Sequence, residues 1–93
     1  MANKSDRIIT NFKKAESSIK KIIEMLDRGE YCIDIMQQNL AAIGLLRSAH
    51  RQLMERHLNT CFKSAMESDN VGRQKKVAEE ILRVTQMSAK EIN

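Results

Sequence analysis

Residues 31–66 form a stretch of some 36 positions that contains no proline and a single glycine, Gly44. Apolar side chains recur along it at Ile35, Met36, Leu40, Ile43, Leu46, Ala49, Leu53, Leu58, Cys61, Phe62 and Ala65, with the steps of three and four that keep them on one side of an α-helix. A lone glycine costs a helix about 1 kcal/mol and does not end it. The stretch therefore predicts one helix about 54 Å long, at 1.5 Å per residue. Such a rod is too long to be the centre of a compact 93-residue monomer.

The flanking segments read the same way. Ile8, Phe12, Ala15, Ile19, Ile22 or Ile23, and Leu26 predict a first amphipathic helix, with Ser5 or Asp6 as its N-cap and Asp27, Arg28 and Gly29 as its stop. Glu67, Ser68, Asp69, Asn70, Val71 and Gly72 read as a loop. Val77, Ile81, Val84 and Ala89 mark a third helix. With no proline and three glycines in the whole chain there is little material for hairpin turns. The expectation is an all-α fold of three helices in a single domain, 1–93. One apolar stripe per helix cannot be hidden within so small a chain, so an obligate dimer or tetramer is expected.

Composition narrows the function classes. No apolar run reaches the roughly 18 residues of a membrane span, and the first residues lack a signal-peptide core. That points to the cytoplasm, where two cysteines serve more often as working thiols than as a structural bridge. No Gly-rich phosphate loop, Ser/His/Asp set or carboxylate pair is visible, so no enzyme is expected. Sixteen Lys and Arg against twelve Asp and Glu leave a net charge of +4, compatible with an anionic partner.

Cys32, His57 and Cys61 are the candidate metal ligands. His57 and Cys61 lie four apart, one turn of helix on one face. Counting 25 residues from Cys32 to His57 at 100° each comes about 20° short of seven turns, and Cys61 lies about 20° past eight. All three share a face, yet Cys32 and His57 would be roughly 37 Å apart along a straight helix. Two such helices packed antiparallel about a two-fold axis bring Cys32 of one to His57 and Cys61 of the other. The axis passes near Leu45 and Leu46, where Gly44 allows close approach. Two thiolates and an imidazole suit monovalent copper, Cu(I), with zinc the main competitor. Taken singly, a free cysteine is an ordinary small hydrophobe. His50 is a weaker candidate ligand, and Met36, Met54 and Met66 read as core filling.

The segments EYCIDIMQQ and ERHLNTCF, with the first helix ending in IIEMLDRGEYC and a third helix containing AEEIL, resemble the CsoR/RcnR family of bacterial transcriptional regulators. The resemblance covers nearly the whole chain. It implies an all-helical dimer of dimers with a four-helix-bundle core, in which a ligand at an intersubunit thiol site weakens operator binding. The Cys, His, Cys order is similar to the copper-sensing branch. The nickel and cobalt branch has a His in place of the last Cys, the formaldehyde branch needs an N-terminal proline, and the persulfide branch lacks the His.

By the same resemblance, Tyr31 and Glu80 would stand around the ligands, with Glu79 as the neighbouring alternative to Glu80. Arg7, Lys13, Lys14, Lys20 and Lys21 of the first helix and Arg47 and Arg51 of the second would meet DNA. The family's arginine-rich stretch ending in Gly-Gln is replaced here by KKAESS at 13–18. The resulting expectation is a cytoplasmic Cu(I)-responsive repressor of copper-homeostasis genes, with operator DNA and copies of itself as partners and no membrane association. Two alternatives stand beside it: a persulfide- or oxidant-sensing repressor using Cys32 and Cys61, and a copper-binding helical bundle that no longer binds DNA.

Overall fold

A computed structural model describes residues 4–92, with side chains described for residues 6–87. Helix α1 spans Lys4–Asp27, α2 spans Cys32–His57, a π-helical turn spans Leu58–Phe62, α3 spans Lys63–Glu67 and α4 spans Val71–Ile92. Among the described residues there is no strand. The expected second helix is thus helical throughout 32–67, but one wide turn interrupts it. The chain divides into two compact units, one reaching as far as Glu55 and the other beginning at Arg56.

In the first unit, α1 ends in a Schellman turn. Gly29 takes the left-handed conformation at φ +67°, the Gly29 N–H donates to the carbonyl of Leu26 at 3.1 Å, and the Glu30 N–H donates to that of Met25 at 3.0 Å. The Asp27, Arg28, Gly29 stop therefore acts through the glycine. Arg28 reaches across the turn, donating from Nη2 to Glu30 Oε2 at 2.6 Å. That hydrogen bond, with the Glu30 charge, raises the guanidinium pKa above its ordinary value. Asp34 and Ile35 N–H then donate to the Tyr31 carbonyl at 3.1 and 3.2 Å, so Tyr31 caps α2 and Cys32 is its first residue.

The positions withdrawn from solvent on α1, Ile8, Asn11, Ala15, Ser18, Ile22 and Met25, alternate strictly by three and four. On α2 the same steps run through Ile35, Gln38, Ala42, Leu45, Ala49 and Gln52, with Ser48, Met54 and His57 half-buried beside them. Steps of three and four of this kind mark the seam along which one helix packs on another. Asn11 Nδ2 donates to Gln52 Oε1 at 2.8 Å and ties one seam to the other. Ala15 is 1% exposed and Ala49 0%.

The expected α1 stripe is corrected by this seam. Phe12, Ile19, Ile23 and Leu26 are exposed, at 42%, 45%, 55% and 60%. Each is one residue past a seam position, hence about 100° around the helix. On α2, Met36, Ile43, Leu46 and Leu53 stand in the same relation to their seam and are exposed as well. In an antiparallel pair these rotations turn both sets toward the same side, so the hairpin carries one broad apolar face. Ala15, Ala42 and Ala49 let the two backbones approach, Ile8, Ile22, Met25, Ile35 and Leu45 fill the rest of the seam, and a second set of bulky residues is left outside it. Met36 and Met66 are likewise exposed, whereas core filling was expected of them; Met54 is half-buried.

One cap and one loop are also corrected. Ser5 and Asp6 lie inside α1, which begins at Lys4. Glu67 is helical, and Val71 and Gly72 open α4, so the loop contracts to 68–70. Its turn is held by Asn70 Oδ1, which accepts the Arg73 N–H at 3.0 Å as an N-cap. Gln74 Nε2 donates to the Ser68 carbonyl at 2.7 Å. Ala65 is buried, and Val77 and Ile81 of α4 are half-buried, but Val84 is exposed and the side chain of Ala89 lies outside the described residues.

Replacing a seam alanine tests this packing. Ala49→Leu should destabilise the protein by about 1–3 kcal/mol through overpacking, read as a lower urea midpoint in circular dichroism at unchanged m-value.

Candidate metal centre

Cys32 opens α2. Its thiol is exposed and free, at a helix N-terminus, where the unpaired N–H groups and the helix dipole accommodate negative charge. Tyr31 precedes it and is 69% exposed. His57 closes α2 and is half-buried.

Cys61 lies inside the π turn. The Lys63 N–H reaches back five residues to the carbonyl of Leu58, so the helix widens between the two candidate ligands. In this wider turn four residues fall short of a full revolution instead of slightly past one, and His57 and Cys61 remain on one face. The count of turns from Cys32 to Cys61, made for a regular α-helix, does not carry through it. Single π turns of this kind recur at functional sites.

Thr60 supplies a contact that spacing rules did not anticipate. Its Oγ1 lies 2.7 Å from the Arg56 carbonyl, to which it donates, and 3.7 Å from Cys61 Sγ. Both cysteines are free and exposed. The donor set of two accessible thiols and an imidazole is soft, and it fits Cu(I) better than any oxygen-seeking cation.

Cys32 belongs to the first compact unit, and His57 and Cys61 to the second. Among the described residues of a single chain, no three His, Cys, Asp or Glu side chains come together in a way that could hold a metal ion. Glu80 is half-buried on α4 and Glu79 exposed. His50 is exposed on α2, one residue past the seam position Ala49 and so on the apolar side of the hairpin.

The basic candidates are all exposed: Arg7, Lys13, Lys14, Lys20 and Lys21 on α1, Arg47 and Arg51 on α2. Arg7, Lys14 and Lys21 each precede a seam residue of α1, and Arg51 precedes the seam residue Gln52 of α2. They are thus rotated about 100° in the opposite sense from the bulky apolar residues. The hairpin has one apolar side and, across from it, a side on which these four cations outnumber Glu24 and Asp34, the two acids near the loop. Lys13, Lys20 and Arg47 lie two residues from the seam, on the outer flanks.

The profile of the family described as metal-sensitive transcriptional repressor matches residues 4–87. The copper-sensing transcriptional repressor CsoR of Mycobacterium ulcerans is 33% identical over 66 residues, which cover 71% of this chain and 56% of that protein. The copper-sensing transcriptional repressor RicR of Mycobacterium tuberculosis is 30% identical over 74 residues, 80% of this chain and 77% of its own length. CsoR of Bacillus subtilis is 27% identical over 67 residues, 72% and 66% respectively. The chain spans little more than half the length of the M. ulcerans relative. No helix among the described residues is long and apolar enough to cross a membrane. A profile match running from the start of α1 well into α4, over both compact units, makes this chain a member of the CsoR/RcnR family of metal-sensitive transcriptional repressors, which are regulators and not enzymes.

Proposed function

We propose that this chain is a cytoplasmic Cu(I)-responsive repressor whose sensing site is completed only between two copies. One observation carries the reading: His57 and Cys61 share a helix face across the π turn, while the remaining thiol, Cys32, opens α2 in the other compact unit. The names of the relatives, copper-sensing repressors, support the same metal.

The broad apolar face of the hairpin, with Phe12, Ile19, Leu26, Met36, Ile43 and Leu46 exposed, supports association with a second chain, because a lone chain would leave it in water. An antiparallel arrangement about a two-fold axis near Leu46 offers Cys32 to His57 and Cys61 of the partner subunit. Leu45 is half-buried in the intrachain seam, and Gly44 precedes it on the basic side of the hairpin, so Leu46 is the better marker of the axis. The family resemblance extends the dimer to a dimer of dimers.

Bound Cu(I) would supply a three-coordinate soft centre joining the two chains. Cys32 would hold one side, and His57 and Cys61 of the partner subunit the other. Tyr31 and Glu80 stand beside these ligands in sequence or in the family pattern, and would orient them. With Cys32 of one chain and His57 and Cys61 of the partner subunit held together, the basic side that would meet phosphate would be disturbed, so that operator affinity would fall and transcription would be released. A coupling of about 1–3 kcal/mol lowers affinity about 5–150-fold.

Chelator competition for Cu(I) tests the site: Cys32→Ala should bind at least about tenfold more weakly than wild type, as expected when one of three ligands is lost, and equal affinities would refute it. The free, exposed thiols also favour a sulfur-sensing reading. His57→Ala separates the two, since a disulfide or polysulfide between Cys32 and Cys61 survives loss of the imidazole and copper sensing does not. On DNA from upstream of the protein's own gene, a gel shift that Cu(I) weakens is the expected result. No shift in either condition would leave a copper-binding bundle. Lys14→Ala should weaken binding and lower the slope of log affinity against log salt by about one.

A further inference from the structure

The mechanism leaves unused a half-buried polar contact, Asn11 Nδ2 to Gln52 Oε1 at 2.8 Å, between side chains 41 residues apart. Both amides are half-buried in the α1–α2 seam. Their neighbours along it are Ile8 at 4% exposure, Ala15 at 1% and Ala49 at 0%. A methyl group fits opposite almost any side chain, so an alanine-bearing seam brings two helices close without dictating how far one has slid along the other. An amide pair does dictate it. Sliding α1 by seven residues would set Asn11 against Leu45 in one direction, or Gln52 against Ser18 in the other, and either would leave the amides without each other in a half-buried seam.

The pair also lies directly beneath the basic side. Arg7 is one turn before Asn11 on α1, Lys14 three residues after it, and Arg51 is adjacent to Gln52 on α2. A slip of one helical turn displaces α1 by about 5.4 Å. Phosphates along one DNA strand are spaced about 3.4 Å apart along the axis. Such a slip would therefore take Arg7 and Lys14 off the phosphates that Arg51 leaves for them.

We infer that Asn11 and Gln52 are positioning residues for DNA: their hydrogen bond sets the register of α1 on α2, and so the spacing of Arg7 and Lys14 relative to Arg51. This rests on the operator-binding reading above. Neither amide touches DNA in this account. Their substitution should change affinity by misplacing the cations, not by removing charge.

The test uses the full chain without metal and measures binding to a fluorescent duplex from the protein's own promoter at several salt concentrations, alongside thermal unfolding. The Asn11→Leu/Gln52→Leu pair replaces both amides with apolar groups of similar size, a change that leaves stability equal or higher. It should bind the duplex at least about tenfold more weakly, with a shallower salt dependence, because fewer phosphates are engaged together. The exchange Asn11→Gln/Gln52→Asn keeps the combined length of the pair. It should recover affinity to within about threefold of wild type, while each of its single substitutions stays weaker. This arm decides the matter if the leucine pair does not fold.

Wild-type affinity and salt slope in the leucine pair would overturn the inference. So would an exchange variant no better than its single substitutions. Wild-type protein that shifts no duplex at any salt would overturn the operator reading itself, and this inference with it.

Discussion

Because Ala15 and Ala49 are almost fully buried, α1 and α2 meet closely along a seam that Ile8, Ile22, Met25, Ile35 and Leu45 fill beside the alanines and amides, and the rest of the first unit follows from that contact. Helices with small residues at the contact approach toward the short end of the usual 8–10 Å range. Phe12, Ile19, Ile23 and Leu26 on one helix, and Met36, Ile43, Leu46 and Leu53 on the other, each lie one residue past that seam, about 100° around the helix. They turn outward together on one side. The opposite side is left to Arg7, Lys14, Lys21 and Arg51. One packing choice thus separates a greasy surface from a cationic one.

That separation suits the proposed regulator, which would both associate with itself and meet a polyanion. Apolar area removed from water drives association without regard to orientation, whereas cations need only to be presented at spacings that match phosphates. Placing the two needs on opposite sides of one hairpin lets each be met without burying the other. The candidate ligands lie where helix termini and the π turn interrupt regular hydrogen bonding: Cys32 opens α2, His57 closes it and Cys61 sits in the π turn. Backbone that is already irregular can shift at lower cost than the middle of a helix, which suits a site meant to respond to its occupant.

Much of the candidate site was legible one residue at a time. Cys32, His57 and Cys61 stand out by type and spacing, and the absence of proline makes the helical reading nearly unavoidable. Thr60 was not legible, since nothing in a hydroxyl's position announces that it will lie near a neighbouring sulfur. The π turn was equally hidden: an i→i+5 bond depends on how the flanking segments pack, and residues 58–62 carry no glycine or proline to signal it. The corrected stripe has a simple cause. Periodicity selects the most hydrophobic side of a helix, and here that side is not the one the chain buries within itself.

By itself the sequence determined the helical class, the Gly29 stop, the soft donor set and, through its segments EYCIDIMQQ and ERHLNTCF, the family. These depend on local conformational preference or on the chemistry of single side chains. The tertiary structure alone decided that α1 and α2 pack through Asn11, Ala15, Ala49 and Gln52, and hence which side of the hairpin is apolar and which is basic. Which of two adjacent stripes is buried depends on how closely two backbones can approach, and that is a property of the pair of helices, not of either one.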